Sequence, residues 1–425
     1  MLDPKLLKEN PQLLRSMLEN RKFEFPLDDL IVLDKMRREL TVQVEEFKHK
    51  KNLLARAISN KLKAHEDSVS EREEMKEIGT KLLETEQEKK AVDAKFRASM
   101  MTLPNIIDKS VPIGSDEKDN VILKYHGAIT NFDFFLKDHV DIANSLGLLD
   151  IERAAKIAGA RFYFLKNELV KLNLALINYA LDFLAEKGYT LAQPPFMIRK
   201  EAMEGAVILA DFEDMIYKIE KDDLYMIGTS EHSMASMHMN EILDGKDLPL
   251  RYASTSPCFR KEAGAHGKDT KGIFRVHQFE KVEQFVYSRP EESELQHERM
   301  LTITEEFYEK LGIPYRTVLL CSADLGKTSS KTFDIEAWMP SQNAYREIVS
   351  CSNCTDFQAR RLVTRFRDKI NEQTRFVHTL NSTLVATERT MACIMENYQT
   401  SNGTVEVPDV IQQYMAGMKE IRCKN

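Results

Sequence analysis

From Leu27 to Lys63 the chain runs without a Gly or Pro, and Leu33, Met36, Leu40, Val44, Phe47, Leu54 and Ile58 recur at helical spacing. Only a long helix with a narrow apolar seam satisfies that pattern. A polar stretch around residues 65–71 interrupts it, after which Met75, Ile78, Leu82, Val92, Phe96 and Met100 resume a comparable spacing. Two such helices joined by a turn bury their seams against each other as an antiparallel hairpin. At about 1.5 Å per residue, roughly 35 residues reach on the order of 50 Å. A rod of that length is an arm, and the 425-residue chain therefore reads as two domains. Ahead of the arm, residues 1–26 read as short helical pieces punctuated by Pro4, Pro11 and Pro26.

The distal half of the first long helix, Phe47 to Lys63, carries Lys48, Lys50, Lys51, Arg56, Lys61 and Lys63 with no acidic residue. Basic groups along a rod can follow a phosphate backbone, with salt-dependent binding. A solvated coiled-coil face beside a Glu-rich second helix accounts equally well for the same charge. The overall charge of −7 argues against a general polycation, so any RNA contact is regional. Six scattered cysteines and a start, Met-Leu-Asp-Pro-Lys, without an apolar signal core lead us to expect reduced thiols and a cytoplasmic location. No stretch is apolar enough for a membrane span.

Residues 254–288 hold two β-prone runs around a polar, Gly-punctuated loop, the pattern of a long-looped hairpin. Strand alternation predicts Arg260 and Glu262 on one side of the first run, and Arg275, His277, Phe279, Lys281 and Glu283 together on the return strand. That face has no aliphatic residue. Arginines, a ring and carboxylates on one surface suit an anionic, ring-bearing ligand, although a solvent-facing polar strand has the same composition.

Phe259-Arg260-Lys261-Glu262, followed after a loop by Arg275-x-x-x-Phe279-x-x-x-Glu283, resembles the second signature motif of class II aminoacyl-tRNA synthetases, here at about residues 256–285. The string from Cys258 through Gly272 resembles the seryl-tRNA synthetases in particular. Other stretches follow in family order. Residues 103–125 resemble the family's Leu-Pro-Asn and Val-Pro-x-Gly connector, and residues 169–198, with Pro195, resemble motif 1, which builds the dimer interface. Thr229-Ser-Glu231 resembles the Thr-x-Glu element of the amino-acid pocket, although by itself it also reads as a helix N-cap. Residues 380–399 resemble motif 3.

The resemblance implies an α+β fold: an antiparallel class II sheet flanked by helices, with an N-terminal α-helical coiled-coil arm. It implies a tRNA-binding domain over 1–110, its arm at about 27–101, and a catalytic domain over 111–425. The expected reaction is activation of L-serine by ATP to seryl-adenylate, then transfer to the terminal adenosine of tRNA(Ser), and of tRNA(Sec) where present, by a homodimer. Arg260 is expected to bridge the serine carboxylate and the α-phosphate, Phe279 to stack on adenine, Glu262 to accept from its amine, and Arg275 to bind ATP. Thr229, Glu231, Glu283, Asn381 and Thr383 are expected around serine. Glu347-Ile348-Val349-Ser350 matches the family's ATP-lining Glu-Ile-x-Ser, in which Glu347 and Ser350 hold Mg²⁺; their three-residue spacing demands a bend or bulge if both point inward. Arg389 is expected on the γ-phosphate, and the arm lysines with Arg56 on the tRNA variable arm. Glu388 departs from the Gly or Ser common before that arginine. Cys351-x-x-Cys354 lacks the second pair that structural zinc requires, and the family carries this run without zinc. Two rivals are a catalytically silent paralogue that binds RNA or a partner, which should have lost Arg260, Phe279, Glu283 or Arg389, and a carrier-protein ligase, which should lack the arm. All these features are present.

Overall fold

The computed structural model describes residues 1–262 and 271–423, so the loop segment 263–270 of the seryl-type string lies outside the described residues. The chain divides into two compact units, Met1–Pro104 and Asn105–Asn425. The division comes a few residues earlier than the expected 110. Asn105 is already tied into the second unit: its backbone N–H donates to the Lys327 carbonyl at 2.7 Å, and its side-chain amide donates to the carbonyls of Thr328 and Cys354 at 3.0 and 2.9 Å.

In the first unit, two short helices (Leu6–Glu9 and Pro11–Asn20) precede helices α1 (Leu27–Lys63) and α2 (Val69–Met100). Leu30, Leu40 and Val44 of α1 are buried, as are Ile78, Leu82, Val92 and Phe96 of α2. The seam differs from the expected one at its base, where Met36 is exposed and Asp34 is buried instead. A lone buried carboxylate would be costly, but Arg37 and Arg38, one turn on, pair with it at 3.0 and 2.9 Å.

The second unit is built on an eight-stranded sheet: β1 (Val121–His126), β2 (Thr190–Ala192), β3 (Leu250–Phe259), β4 (Gln278–Ser288), β5 (Tyr315–Leu319), β6 (Lys331–Met339), β7 (Ala344–Asn353) and β8 (His378–Ala386). Their spatial order is β1-β5-β6-β7-β8-β4-β3-β2, antiparallel throughout except that edge strand β2 runs parallel to β3. Part of the expected connector, 121–125, is thus strand: Val-Ile-Leu-Lys-Tyr is β-prone and pairs with β5. The expected strand 189–198 is two strands in different sheets, β2 and Met197–Arg199. Pro194 and Pro195 between them have no N–H to donate to a ladder.

Helices α3 (Glu168–Glu186), α4 (Ser230–Ser236), α5 (Ser293–Lys310) and α6 (Thr387–Asn397) complete the unit around the sheet. Leu172 and Leu176 of α3, Met300 and Phe307 of α5 and Met391 of α6 form one apolar cluster with the sheet residues Val282, Val286, Ile335, Val349 and Leu384. The alternate residues of the same strands occupy the opposite face. There Phe285 and Tyr287 continue into a second apolar cluster with Met234 and Ala235 of α4, while Lys281, Glu283, Asp334, Glu347 and Ser350 line a largely polar cleft.

Phe307 is fully buried beneath the sheet and stacks on Tyr179 at 5.0 Å between centroids. Phe307→Ala should destabilise this unit by about 3–5 kcal/mol, read as a lowered urea midpoint; a loss below about 1 kcal/mol would mean the helix layer is not packed as described.

Candidate active site

Strand β4 lies antiparallel to β3 with Phe279 opposite Cys258 and Glu283 opposite Ser254. The hairpin is as expected, but the face is shorter. Strict alternation ends at Phe259; Arg260, Glu262, Arg275 and His277 all lie beyond the paired strands, and Glu262 has a left-handed φ of 48°. His277 does not join the cluster. Its ring stacks on Phe162 at 5.2 Å, and its Nδ1 lies 2.9 Å from both the Tyr217 hydroxyl and the Arg260 carbonyl. Phe279, Lys281 and Glu283 do share the open face. The Arg260 guanidinium lies 5.2 Å from the Phe279 ring centroid, and its Nε donates to the Gly228 carbonyl at 2.9 Å.

Glu283, only 2 % exposed, is the electrostatic centre. Its Oε2 accepts from the hydroxyls of Thr229 (2.6 Å) and Ser230 (2.8 Å) and from the Glu231 backbone N–H (2.9 Å), while Oε1 accepts from Lys281 Nζ at 2.5 Å. Burial alone would raise this carboxyl's pKa, but the Lys281 charge and the donors outweigh it and hold the pKa below the usual range. Thr229 caps α4, as the N-cap reading expects, by accepting from the Glu231 N–H at 3.3 Å, and it also donates to Glu283. Thr383 sits directly opposite Glu283 on β8. Among the described residues Oε1 has Lys281 as its one donor, so a lone pair is left over on a carboxylate that lines the cleft. Glu231 lacks such compensation. Its carboxylate accepts from Gln358 at 2.8 Å, but burial, and then the Glu283 charge, push its pKa up to about 7.

The bulge that Glu347 and Ser350 require is present. Between β6 and β7, Ile335 pairs with Val349 and Glu336 with Glu347, so Ile348 is the extra residue. The insertion restores Glu347 to the face of Ser350, and both line the polar cleft. Glu347 pairs with Arg389 at 3.2 Å; the Arg389 charge, then Arg260 and Arg275, hold its pKa below the usual range. These hard oxygen ligands, close to guanidinium groups that suit phosphate, fit Mg²⁺ with a nucleotide.

Arg389 also donates to the Glu347 carbonyl at 3.0 Å and rests 5.3 Å from the Phe274 ring. Glu262, Phe279 and Arg389 line one narrow slot of about 20 Å³. Glu388 borders the same slot, but its carboxyl is engaged by neighbours other than Arg389. It accepts from the Tyr163 hydroxyl, from the Glu280 backbone N–H at 2.9 Å and from Thr387 at 3.0 Å. Burial pushes its pKa up to about 7, so near neutral pH the group beside Arg389 is only partly ionised. Inside the unit, an inner chamber of about 300 Å³ bordered by Arg260, Phe279, Glu283, Thr383 and Arg389 adjoins an outer one of about 650 Å³, with Glu231, Glu347, Ser350 and Asn381 lining both.

Three groups escaped the sequence reading as site members. Lys281 lay on the expected face without a role, and Tyr163 gave no local signal. Asp334 is marked by the alternation of Thr332, Asp334 and Glu336 with Phe333, Ile335 and Ala337. Along the arm, Lys48 pairs with Glu86 at 2.8 Å and Lys61 with Glu71, whereas Lys50, Lys51 and Arg56 are exposed and have no acidic partner among the described residues. Cys351 and Cys354 are buried free thiols, and no group of metal-binding side chains of the zinc type occurs among the described residues.

The class II tRNA synthetase core domain (G, H, P, S and T) matches residues 215–398, and the seryl-tRNA synthetase N-terminal domain matches residues 1–107. The serine–tRNA ligase of Nitrosopumilus maritimus is 58% identical over 421 residues, which are 99% of this chain and 100% of that one. The crystal structure of the Pyrococcus horikoshii seryl-tRNA synthetase complexed with ATP superposes with a TM-score of 0.94 at 47% identity, covering 100% of both chains. That of the Naegleria fowleri cytoplasmic enzyme in complex with AMP gives 0.89 at 36% identity, covering 100% of this chain and 99% of that one.

The Glu388 contacts carry a pH signature. A carboxyl held near 7 in the folded chain, against an ordinary 4.5, adds stability that is complete below about pH 4.5 and is lost as pH rises through 7. Glu388→Gln removes this proton, so the stability of the native chain relative to the variant should fall between pH 4.5 and 7 in urea titrations; a difference independent of pH would contradict the assignment.

Proposed function

Because this chain belongs to the seryl-tRNA synthetase family, we propose that it activates L-serine with ATP and charges tRNA with the seryl group, using the residues gathered on the open face of its sheet. The observation that carries the reading is the pairing of a hydroxyl-seeking wall with an anion-seeking one. Glu283, with a lone pair left on Oε1, stands opposite Thr383, and Arg260, Arg275 and Arg389 border the same cleft.

Serine enters with its hydroxyl on Glu283 and Thr383. An analogue lacking that hydroxyl would leave a buried carboxylate short of a donor, which is how such a site rejects alanine and glycine. Its ammonium meets Glu231, a carboxyl near 7 for want of a cation, and supplies that cation. Asn381 and Thr229 border the same pocket. Arg260 holds the serine carboxylate and the α-phosphate together. A carboxylate oxygen then attacks the α-phosphorus, pyrophosphate leaves in line, and the arginines offset the charge that develops. Adenine stacks on Phe279 beside Glu262, and Arg275 and Arg389 take the phosphate tail, Arg389 exchanging its Glu347 contact for the γ-phosphate. Glu347 and Ser350 would hold Mg²⁺ against the ATP phosphates, where the cation neutralises oxygen charge. In the second step the hydroxyl of the terminal tRNA adenosine attacks the acyl carbon and AMP leaves.

The arm binds tRNA through Lys50, Lys51 and Arg56, with Lys48 and Lys61 contributing once their ion pairs open. A homodimer through the surface around Pro195 is supported by an apolar hollow of about 560 Å³ that includes Pro194, Pro195, Met197 and Met237, the two methionines being about half exposed. No helix of the described residues is long and apolar enough to cross a membrane.

Arg260→Ala and Arg389→Ala should each lower serine-dependent pyrophosphate exchange into ATP by at least about 10²-fold with an unchanged circular dichroism spectrum. Near-normal exchange would refute the site. Deleting residues 48–84 should leave exchange intact and impair tRNA charging; equal loss of both would refute the division of labour.

A further inference from the structure

Asp334 is a buried carboxyl group of the cleft wall whose position no role above explains. It lies on β6 directly opposite Ser350, just as Glu336 lies opposite Glu347, so all four side chains share one face of the sheet. Glu336 is ion-paired to Arg316, Asp324 accepts from the Asn120 amide at 2.7 Å, and Glu347 has Arg389. Asp334 has no cationic partner among the described residues. It is only 9 % exposed, it lines the outer chamber, and among the described residues its Oδ1 has no hydrogen-bond partner. A buried carboxylate oxygen without a donor is costly unless something positive comes to it.

We propose that Asp334 is a further oxygen ligand, beside Glu347 and Ser350, for the divalent cation that accompanies the nucleotide. The inference rests on the reading of Glu347 and Ser350 as the cation's holders and adds a ligand from the neighbouring strand. It explains why a carboxylate occupies that register position when the alternate residues, Phe333 and Ile335, belong to the apolar core. It also gives the site two carboxyl groups on adjacent strands, oxygen donors suited to a hard divalent cation that keeps several waters.

The test is Mn²⁺ binding to the full chain with the β,γ-imido analogue of ATP, followed by electron paramagnetic resonance, which needs no turnover. Asp334→Asn should raise the Mn²⁺ dissociation constant by about tenfold or more, as should Glu347→Gln. If Glu347→Gln weakens Mn²⁺ and Asp334→Asn stays within about twofold of the native chain, the added ligand is refuted and the original pair stands. If neither substitution weakens it, the reading of Glu347 and Ser350 fails and takes this inference with it. Should Asp334→Asn not fold, Asp334→Ser, which also removes the charge, decides by the same titration.

Discussion

A strand sends successive side chains to opposite faces, and here one face of the sheet is committed to helices. Once Val282, Val286, Ile335 and Leu384 pack against α3, α5 and α6, their neighbours Lys281, Glu283, Asp334 and Thr383 have to face the other way. The chemistry of the cleft follows from that commitment. Groups far apart in the chain meet because four adjacent strands each contribute alternate residues to a common surface. Two bulges correct the alternation where the chemistry needs it. One, at Ile348, returns Glu347 to the open face; the other, at Leu384, lies where β8 passes from Thr383 to the start of α6.

Within that surface, charge is arranged unevenly. Glu283 is buried yet kept ionised by Lys281 and three donors, so it needs little from a ligand beyond one hydrogen bond. Glu231, in the first turn of α4, is half-buried with a like charge nearby and sits near 7. Two carboxyl groups with different environments therefore suit different neighbours, one a further hydrogen-bond donor and the other a cation. The same economy explains Glu388, whose neighbours absorb it as a neutral or shared acceptor.

The arm and the long-looped hairpin were legible because each rests on periodicity, at 3.6 residues for α1 and 2 for β4. Arg260, Phe279, Glu283, Glu347 and Arg389 were legible through motif resemblance, and the need for a bulge followed from the spacing of Glu347 and Ser350 alone. What periodicity could not reach were the exceptions to it. Asp34 occupies a seam position because two arginines a turn away pair with it, a compensation that apolar spacing does not register. His277 shares its parity with Phe279 but precedes the paired strand, where aromatic packing on Phe162 decides its direction instead. Tyr163 meets Glu388 across 225 residues of sequence, and no local pattern encodes such a contact.

The contacts of Glu388 also fix a dimension. Its carboxyl holds the backbone N–H of Glu280, the residue after Phe279, while its own chain neighbour is Arg389. The Phe279 ring and the Arg389 guanidinium, which line one narrow slot, are thus each one peptide from the same hydrogen bond. The two side chains behave like the jaws of a calliper locked by a single screw: their gauge is set by the fold, and whatever enters the slot must conform to it.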